Sequence, residues 1–236
     1  MPRGPRVLID GGTYHVLMRG NNGQTIFQHD ADHQRYLQIL LGYLQRHQIK
    51  LYHFVLMPSH VHLVLQIAHG PTLSKIMSGL NLAYSHYYRK RYRYSGHLWQ
   101  GRFKSLHIDK ESYLLEVGRY VELNPVRAAL VQEARTYPWS SYRTYAEGSE
   151  NPLVTPNPLY ELLGATAQQR QGTYRQFVLD GLRREASPLW TFTPRPAQKP
   201  AAVANRLGLP LPKRKRGRPR KALSLALSRE VSPKNV

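Results

Sequence analysis

Two short stretches of this sequence carry side chains that together can hold a metal ion beside a nucleophile. In the first, His60 and His62 stand on either side of a valine within an apolar run. In the second, about sixty residues further on, Tyr120 and Asn124 stand four positions apart. Imidazole nitrogens and a carboxamide oxygen suit Mn²⁺ or Mg²⁺ when water and phosphate complete the shell. A cation there would also polarise a phosphate, so that a phenol attacks phosphorus more readily.

The local pattern predicts the elements that position these side chains. Residues 60–67 form an apolar run typical of a strand, in which His60 and His62 project to the same side. Tyr120 and Asn124 fall in a segment that reads as helix, which stacks them on one face. The packing of that helix on the sheet decides whether the two pairs meet.

Each of these side chains also has an ordinary structural interpretation. Paired histidines such as His60 and His62 are often half-buried sheet residues rather than ligands. Tyr120 fits the apolar stripe of its own helix. Asn124 stands directly before Pro125, which is typical of an N-cap followed by a first-turn proline. Spacing alone leaves both interpretations open.

Two acidic residues near the tyrosine are further candidate ligands. Glu116 lies one turn before Tyr120 and is within reach of a metal ion or its water shell. Glu122 points roughly away from that place. We expect both carboxylates to lie at the surface or to form salt bridges.

The predicted elements follow the order strand, helix, strand, strand, helix, strand, helix. An antiparallel sheet with helices packed on one face satisfies this order, so the predicted class is α+β, ferredoxin-like or RRM-like. The third strand is expected to lie centrally in such a sheet. The predicted strands are residues 13–19, 51–57, 60–67 and 102–108, and the predicted helices are 30–47, 72–92 and a segment after Asp109.

Composition divides the chain into three parts. Residues 1–145 carry the α+β pattern, and residues 146–190 form a helical C-terminal extension with a helix over 168–184. Residues 191–236 are rich in Pro, Ala, Lys and Arg and have too little apolar content to pack alone. We predict that this basic tail is disordered.

The charge balance indicates the class of partner. Lys and Arg number 34 against 14 Asp and Glu, a formal net charge of +20, which attracts polyanions and above all nucleic acid. An anionic membrane is the competing partner, but no long basic amphipathic helix with a bulky apolar face is visible. The lack of cysteine excludes disulfides and thiolate zinc sites. With no apolar leader or membrane-length run, we expect a soluble intracellular protein.

Basic residues cluster between the predicted second helix and fourth strand, near Trp99. They are placed to follow a phosphate backbone at the edge of a cleft, with the indole available for stacking on a base. A solvated basic face is the alternative. The basic residues are Arg89, Lys90, Arg91, Arg93, Arg102 and Lys104.

The tail contains a more specific pattern. Arg216, Gly217, Arg218, Pro219 and Arg220 form a basic segment that looks like an AT-hook. Such a segment lies extended in a narrow A·T minor groove, where arginine meets an enhanced negative potential. We predict that it anchors the protein on A·T-rich duplex DNA. A general polybasic tail and a nuclear-import signal are the alternatives.

Taken together, these motifs resemble those of a known family. Residues 57–62, Met-Pro-Ser-His-Val-His, and residues 120–127, Tyr-Val-Glu-Leu-Asn-Pro-Val-Arg, resemble the single-tyrosine HUH transposases. Within these, the pattern is most similar to the REP-associated tyrosine transposases of bacteria. Residues 11–16 and 98–104 are also similar to that family's pattern. The resemblance covers about residues 5 to 145, and the combination of motifs is more specific than any one of them.

The resemblance implies a metal-dependent DNA endonuclease and strand transferase. By it, His60 and His62 bind Mg²⁺ or Mn²⁺ with Asn124 as the third ligand. Tyr120 attacks a DNA phosphodiester, which gives a 5′-phosphotyrosine link and a free 3′-OH. The expected substrates are single strands beside imperfect hairpins, the repetitive extragenic palindromes. We expect a cytoplasmic, nucleoid-associated bacterial protein with no membrane partner, acting as a monomer or homodimer.

Two rival functions share the predicted fold. A DNA-binding module that no longer cuts would regulate or mark palindromic sites, although both histidines and the tyrosine are retained here. An RNA-binding protein is the second rival, because RRM domains belong to the same fold class. The first and third predicted strands lack the paired aromatic positions on which an RRM stacks bases.

Overall fold

The computed structural model describes residues 8–109 and 113–183, and in this part the chain forms a four-stranded antiparallel sheet. Its spatial order is β2-β3-β1-β4, so the third strand lies inside the sheet as predicted, and the α+β, ferredoxin-like prediction is confirmed. β4 is shorter than predicted, because its ladder with β1 ends at the pair Leu17 and Lys104. The strands are β1 (Thr13–Arg19), β2 (Lys50–Met57), β3 (His60–Gln66) and β4 (Lys104–His107).

Two long helices and four shorter ones accompany the sheet in the described part of the chain. Asp32 stabilises the start of the first helix, since its carboxylate accepts hydrogen bonds from the backbone N–H groups of Gln28 and His29. The second helix begins at Thr72, as predicted. The helices are α1 (Asp30–His47), α2 (Thr72–Tyr92), α3 (Tyr113–Glu122), α4 (Asn124–Arg127), α5 (Tyr142–Glu147) and α6 (Ala167–Asp180), with 3₁₀ turns at 21–23, 134–136 and 158–163.

One face of the sheet packs against α1 and α2. Val61, Leu63 and Leu65 alternate along β3 and are buried on this face, as the two-residue period of a strand requires. Leu40 of α1 and Leu80 of α2 belong to the same apolar cluster. This layer is the arrangement of helices on one face that the sequence predicts.

α3 packs on the opposite face, over β2 and β3. Val117 and Val121 of α3 share an apolar cluster with Val64 of β3. The helix comes close to the sheet because Gly118 has no side chain. A Cβ atom at this position would lie 2.5 Å from the ring of His53 on β2.

This face is exposed over β4, whereas His15 and Leu17, the residues of β1 on the same face, are buried. Lys104 and Leu106 of β4 point to the α3 side, because they lie opposite Leu17 and His15 of β1. Both β4 residues are exposed, Leu106 by 40%. A ligand therefore has access to the α3 face from the side of β4.

The described chain after α4, residues 128–183, is called the C-terminal segment here, and part of it lies along the outer edge of β2. The backbone N–H of Leu56 donates to the carbonyl of Trp139 at 2.9 Å, and that of Thr155 donates to the carbonyl of Leu51 at 2.8 Å. These bonds pair backbone groups that an edge strand would otherwise expose.

A buried carboxylate connects α3 to β2 and to the C-terminal segment. Glu122 is 0% exposed. Its Oε1 lies 3.0 Å from His53 Nδ1 and accepts from Ser141 Oγ at 2.6 Å, and its Oε2 accepts from the Tyr174 hydroxyl at 2.7 Å. Asn157 Nδ2 lies 3.1 Å from the other ring nitrogen of His53. Glu122 therefore lies in the interior and not at the surface, at ion-pair distance from His53.

Several predicted features lie outside the described residues. The tail over 191–236, with the AT-hook-like residues 216–220, is one of them, and the boundaries at residues 145 and 190 stay predictions. In the part that the structure describes, no helix is both long and apolar enough to cross a membrane.

Removal of the buried carboxylate is expected to destabilise the protein strongly. Glu122→Ala leaves His53 and Tyr174 without their acceptor, so the free energy of unfolding should fall by about 3–5 kcal/mol. Tyr174→Phe deletes one hydrogen bond and should cost about 1–3 kcal/mol. Denaturant titration followed by circular dichroism measures both changes.

Glu133→Ala is the matched control, because it breaks an exposed ion pair with Arg135. It should change the free energy of unfolding by less than about 1 kcal/mol. Equal losses at positions 122 and 133 would contradict the anchoring role of Glu122.

Candidate active site

The structure brings His60, His62 and Tyr120 together on the α3 face of the sheet. Both histidine rings point to this face from β3, and their centroids lie 5.1 Å apart. The ring of Tyr120, on α3, lies 5.9 Å from that of His62. Tyr120 is only 9% exposed and packs in the apolar cluster beneath α3. Its ring thus has both a core position and a place beside the imidazoles.

A third imidazole, which the sequence analysis did not single out as a site residue, completes this cluster. His15 on β1 points to the same face, and its Nε2 lies 2.8 Å from Nδ1 of His62. Its ring centroid lies 6.0 Å from that of Tyr120. The contact depends on the register of β1 against β3, which local spacing does not encode.

The three imidazoles are held in the neutral form. Burial lowers the pKa of His15 from 6.5 to about 4. Burial and the positive charge of Arg19 lower the pKa of His60 to about 4. The pKa of His62 lies well below 6.5 because of burial and then of the neighbouring His15 and His60. Neutral imidazole is the form that can bind a metal ion, and all three rings are neutral at pH 7.

His60 and His62 can hold a divalent cation only together with a further donor. In the described residues, no group of three His, Cys, Asp or Glu side chains is arranged to hold a metal ion. The hydrogen bonds of His60 and His62 engage Nδ1, with Ser59 and His15 respectively, and leave both Nε2 atoms for a ligand. Two imidazoles therefore need an oxygen donor of another kind, such as an amide or a phosphate.

Asn124 has an amide side chain that is held against the end of α3. Its Nδ2 donates to the carbonyls of Tyr120 and Val121 at 2.8 and 3.2 Å, which fixes the orientation of the amide. The predicted N-cap role is wrong, because Leu123 is the N-cap of α4 and Asn124 instead caps the end of α3. Its Oδ1 has no hydrogen bond among the described residues.

Comparison with known proteins gives the family. Residues 9–124 match the family model described as "Transposase IS200 like". Through these residues, the chain belongs to the IS200-like transposase family. No curated protein is similar enough to match the chain.

Two solved structures are similar to this transposase. The first, described as a REP-associated tyrosine transposase bound to a REP hairpin, is 18% identical with a TM-score of 0.51, and the match covers 66% of this chain and 92% of that one. This likeness supports the fold. The second, from Deinococcus radiodurans and described provisionally as a transposase, is 20% identical, and the match covers 52% of this chain and 95% of that one. Its TM-score of 0.34 is too low to support a conclusion.

The basic end of α2 lies on the α1 and α2 side of this transposase's sheet, opposite Tyr120. It therefore lies on the other face of the sheet from the imidazole cluster, and its contact with DNA stays a prediction. Arg91 is also engaged internally, with its Nε 3.3 Å from the buried carboxylate of Asp32. The guanidinium of Arg89 donates to the carbonyl of Gly96. Lys90, Arg93 and Arg102 are exposed.

The loop that carries Trp99 connects the two sides of the sheet. Trp99 forms a bridge with Gly20, next to the end of β1, and its indole N–H donates to the carbonyl of Asn81 at 3.1 Å. The indole is half-buried between the helices and the loop. Lys104, by contrast, lies on the same face as His62 and Tyr120.

Glu116 forms the expected salt bridge and is not a ligand in this arrangement. Its carboxylate pairs with Arg119 one turn further along α3. Glu122 is held by the buried network with His53. Neither acid therefore offers an oxygen to the imidazole cluster.

Acidification is expected to destabilise the metal-free transposase through His15. The pKa of this residue is about 4 in the folded chain and 6.5 when unperturbed. The unfolded chain therefore takes up a proton below pH 6.5 that the folded chain does not accept until about pH 4. The free energy of unfolding is therefore unaffected by His15 above pH 6.5. It falls between pH 6.5 and about 4, by at most about 3 kcal/mol for this residue.

Thermal unfolding in the presence of a chelator, between pH 7.5 and 4.5, measures this loss. His15→Phe removes the titrating group, so the variant should lose less stability than the wild type over the same range. Parallel curves for the two proteins would show that His15 is not a source of the pH dependence.

Proposed function

We propose that this transposase is a metal-dependent, single-stranded DNA endonuclease and strand transferase that acts beside hairpin-forming palindromic repeats. Its subgroup would be the REP-associated tyrosine transposases. The observation that carries the proposal is the position of Tyr120, whose ring lies 5.9 Å from that of His62 on the same face of the sheet. A nucleophile and two neutral imidazoles meet there, and a partner chain is not needed to supply any of them.

In the proposed reaction, the oxygen of Tyr120 attacks the phosphorus of a DNA phosphodiester. A new P–O bond to the tyrosine forms and the bond from phosphorus to the 3′ oxygen breaks, while the phenolic proton leaves and the 3′ oxygen gains one. The products are a 5′-phosphotyrosine link and a free 3′-OH. The link keeps the energy of the broken bond, so a second strand can be joined without a nucleotide cofactor.

The residues around Tyr120 would each have a part in this reaction. His60 and His62 would hold the divalent ion through Nε2, with Asn124 supplying an oxygen, and that ion would polarise the scissile phosphate. His15 would keep His62 in the required tautomer, since a proton on Nδ1 of His62 is then donated to Nε2 of His15.

The single strand is proposed to approach over β4, where the α3 face is exposed. Lys104 lies there and would contact a phosphate.

Cavities of about 420 and 380 Å³ flank Trp99 and suit unpaired nucleotides, because hydroxyl, amide and basic groups surround the indole. They are lined in part by Asn21, Ser85, Arg89 and His97 on one side and by Ser74, Ser78, Asn81 and Arg102 on the other.

Tyr120→Phe is expected to abolish covalent attachment to DNA and to leave binding nearly unchanged. The test incubates a labelled single-stranded hairpin with Mn²⁺ and detects the adduct on a denaturing gel, while anisotropy measures the dissociation constant. His60→Ala and His62→Ala should lose metal-dependent cleavage, and Tyr43→Phe on α1 serves as a tyrosine control that should cut normally.

Three outcomes are informative. An adduct that persists in Tyr120→Phe would contradict the role of this residue as nucleophile. Tight binding without an adduct in the wild type would favour the catalytically silent regulator. Preference for single-stranded RNA would favour the RNA-binding rival, although α3 covers part of the sheet face on which an RRM stacks bases.

The tail is proposed to anchor the enzyme on A·T-rich duplex DNA. Deletion of residues 210–236 should weaken binding to an A·T duplex and flatten its salt dependence, because several arginine contacts to the minor groove are lost. Cleavage of a short single strand should be unchanged. Replacing Gly217 and Pro219 by alanine tests the hook itself: if the duplex affinity stays the same, the tail acts only through its charge.

A further inference from the structure

Arg19 is a cation beside the imidazole cluster, and none of the described residues accepts a hydrogen bond from it. It ends β1 directly opposite His60, so the two side chains point to the same face. Its Nε is buried and has no hydrogen bond, and its guanidinium makes none with any described residue. A buried polar atom is normally paired, so one left without an acceptor indicates a group that a ligand supplies.

Arg127 is a second cation near the cluster, next to Tyr120. Its guanidinium carbon lies 5.6 Å from the centroid of the Tyr120 ring. The carbonyl of Gly181 accepts its one hydrogen bond from the described residues, at 3.2 Å, which holds the side chain across the end of α3. The guanidinium thus lies beside the proposed nucleophile, and no carboxylate of the described residues forms an ion pair with it.

Four other arginines of the described chain are paired with acids. Ion pairs join Arg91 to Asp32, Arg119 to Glu116, Arg135 to Glu133 and Arg170 to Glu161. Arg19 and Arg127 have no such partner among the described residues. Two arginine side chains without an acidic partner among the described residues therefore lie near the place where Tyr120 and the histidines meet.

We propose that Arg19 and Arg127 form a two-armed phosphate site, which holds the scissile DNA phosphate and its immediate neighbour against Tyr120. A guanidinium offers donors in a planar fork that matches phosphate oxygens, so each can grip one phosphate and fix its orientation. The inference rests on the proposed function, because it assigns the substrate groups at the same site.

The two arms have different tasks. Arg127 lies beside the phenol and stabilises the negative charge that passes from the tyrosine oxygen to the phosphate during attack. Arg19 lies on the side of His60 and holds the strand in line. Neither arginine is consumed, since the P–O bond to Tyr120 forms as the P–O3′ bond breaks, the phenol loses a proton and the 3′ oxygen gains one.

The experiment combines arginine variants with DNA that lacks a single phosphate charge. Arg19→Ala, Arg127→Ala and the charge-preserving Arg19→Lys and Arg127→Lys are compared with Arg135→Ala, whose side chain is paired at the surface. The substrate is a hairpin with a neutral methylphosphonate at the scissile phosphate or at either neighbour. Single-turnover adduct formation at saturating DNA gives the rate, and thermal melting verifies that each variant is folded.

On unmodified DNA, each alanine variant should form the adduct about 100-fold more slowly, a loss typical of removing one transition-state donor. The lysine variants should recover part of the rate, and Arg135→Ala should match the wild type. When the phosphate that one arginine holds is replaced by a neutral methylphosphonate, the alanine variant of that arginine should form the adduct only a few-fold more slowly than the wild type on the same DNA. A penalty that is equal at all three methylphosphonate positions would overturn the proposal, because a structural role does not depend on substrate charge.

Binding separates this proposal from the proposed function. In a Tyr120→Phe background, each alanine variant should lower the slope of log affinity against log salt by about one, as expected for the loss of one phosphate contact. If the wild type forms no adduct but these slopes still fall, the phosphate site stands and the cutting activity does not. If the wild type cuts and neither the slopes nor the rates change, the phosphate site is wrong.

Discussion

The contact between the Glu122 carboxylate and the His53 ring is the constraint on which the geometry of the site depends. Both side chains are 0% exposed, and the carboxylate also accepts hydrogen bonds from Ser141 and Tyr174. A buried charge is tolerated only when its partners are complete, so α3 cannot slide along β2 without leaving a group unpaired. Tyr120 lies two residues before Glu122 on the same helix. The position of the phenol over the sheet is therefore set by polar contacts as much as by apolar packing.

The local sequence predicts much of the framework. The alternation of β3 determines that His60 and His62 share a face, and the helical spacing of α1 and α2 gives their extents. What it cannot predict is which face α3 covers, because that depends on the fit of Gly118 against His53 across a long interval of chain. The place of His15 beside His62 depends on strand register, which is also a tertiary property.

The same limit applies to the charged residues. Composition predicts a polyanionic partner but does not say which of 34 basic side chains are already paired. The structure shows that Arg91 is occupied by Asp32, although the sequence groups it with its exposed neighbours. Arg127 lies in the motif that carries the resemblance, yet its relation to Tyr120 appears only when α4 turns back at Asn124. Clusters of basic residues in the sequence therefore do not predict how a bound polyanion lies on the folded protein.

The segment along the outer edge of β2 has a consequence for self-association. Exposed edge strands are templates for pairing with other copies of a chain. Here the backbone bonds of Leu56 and Thr155 close one margin of the sheet, and the other margin, β4, spans only Lys104–His107. Lysine at such a margin opposes docking of a second strand. A concentrated solution of this highly basic protein thus has little backbone surface from which aggregation by strand addition can begin.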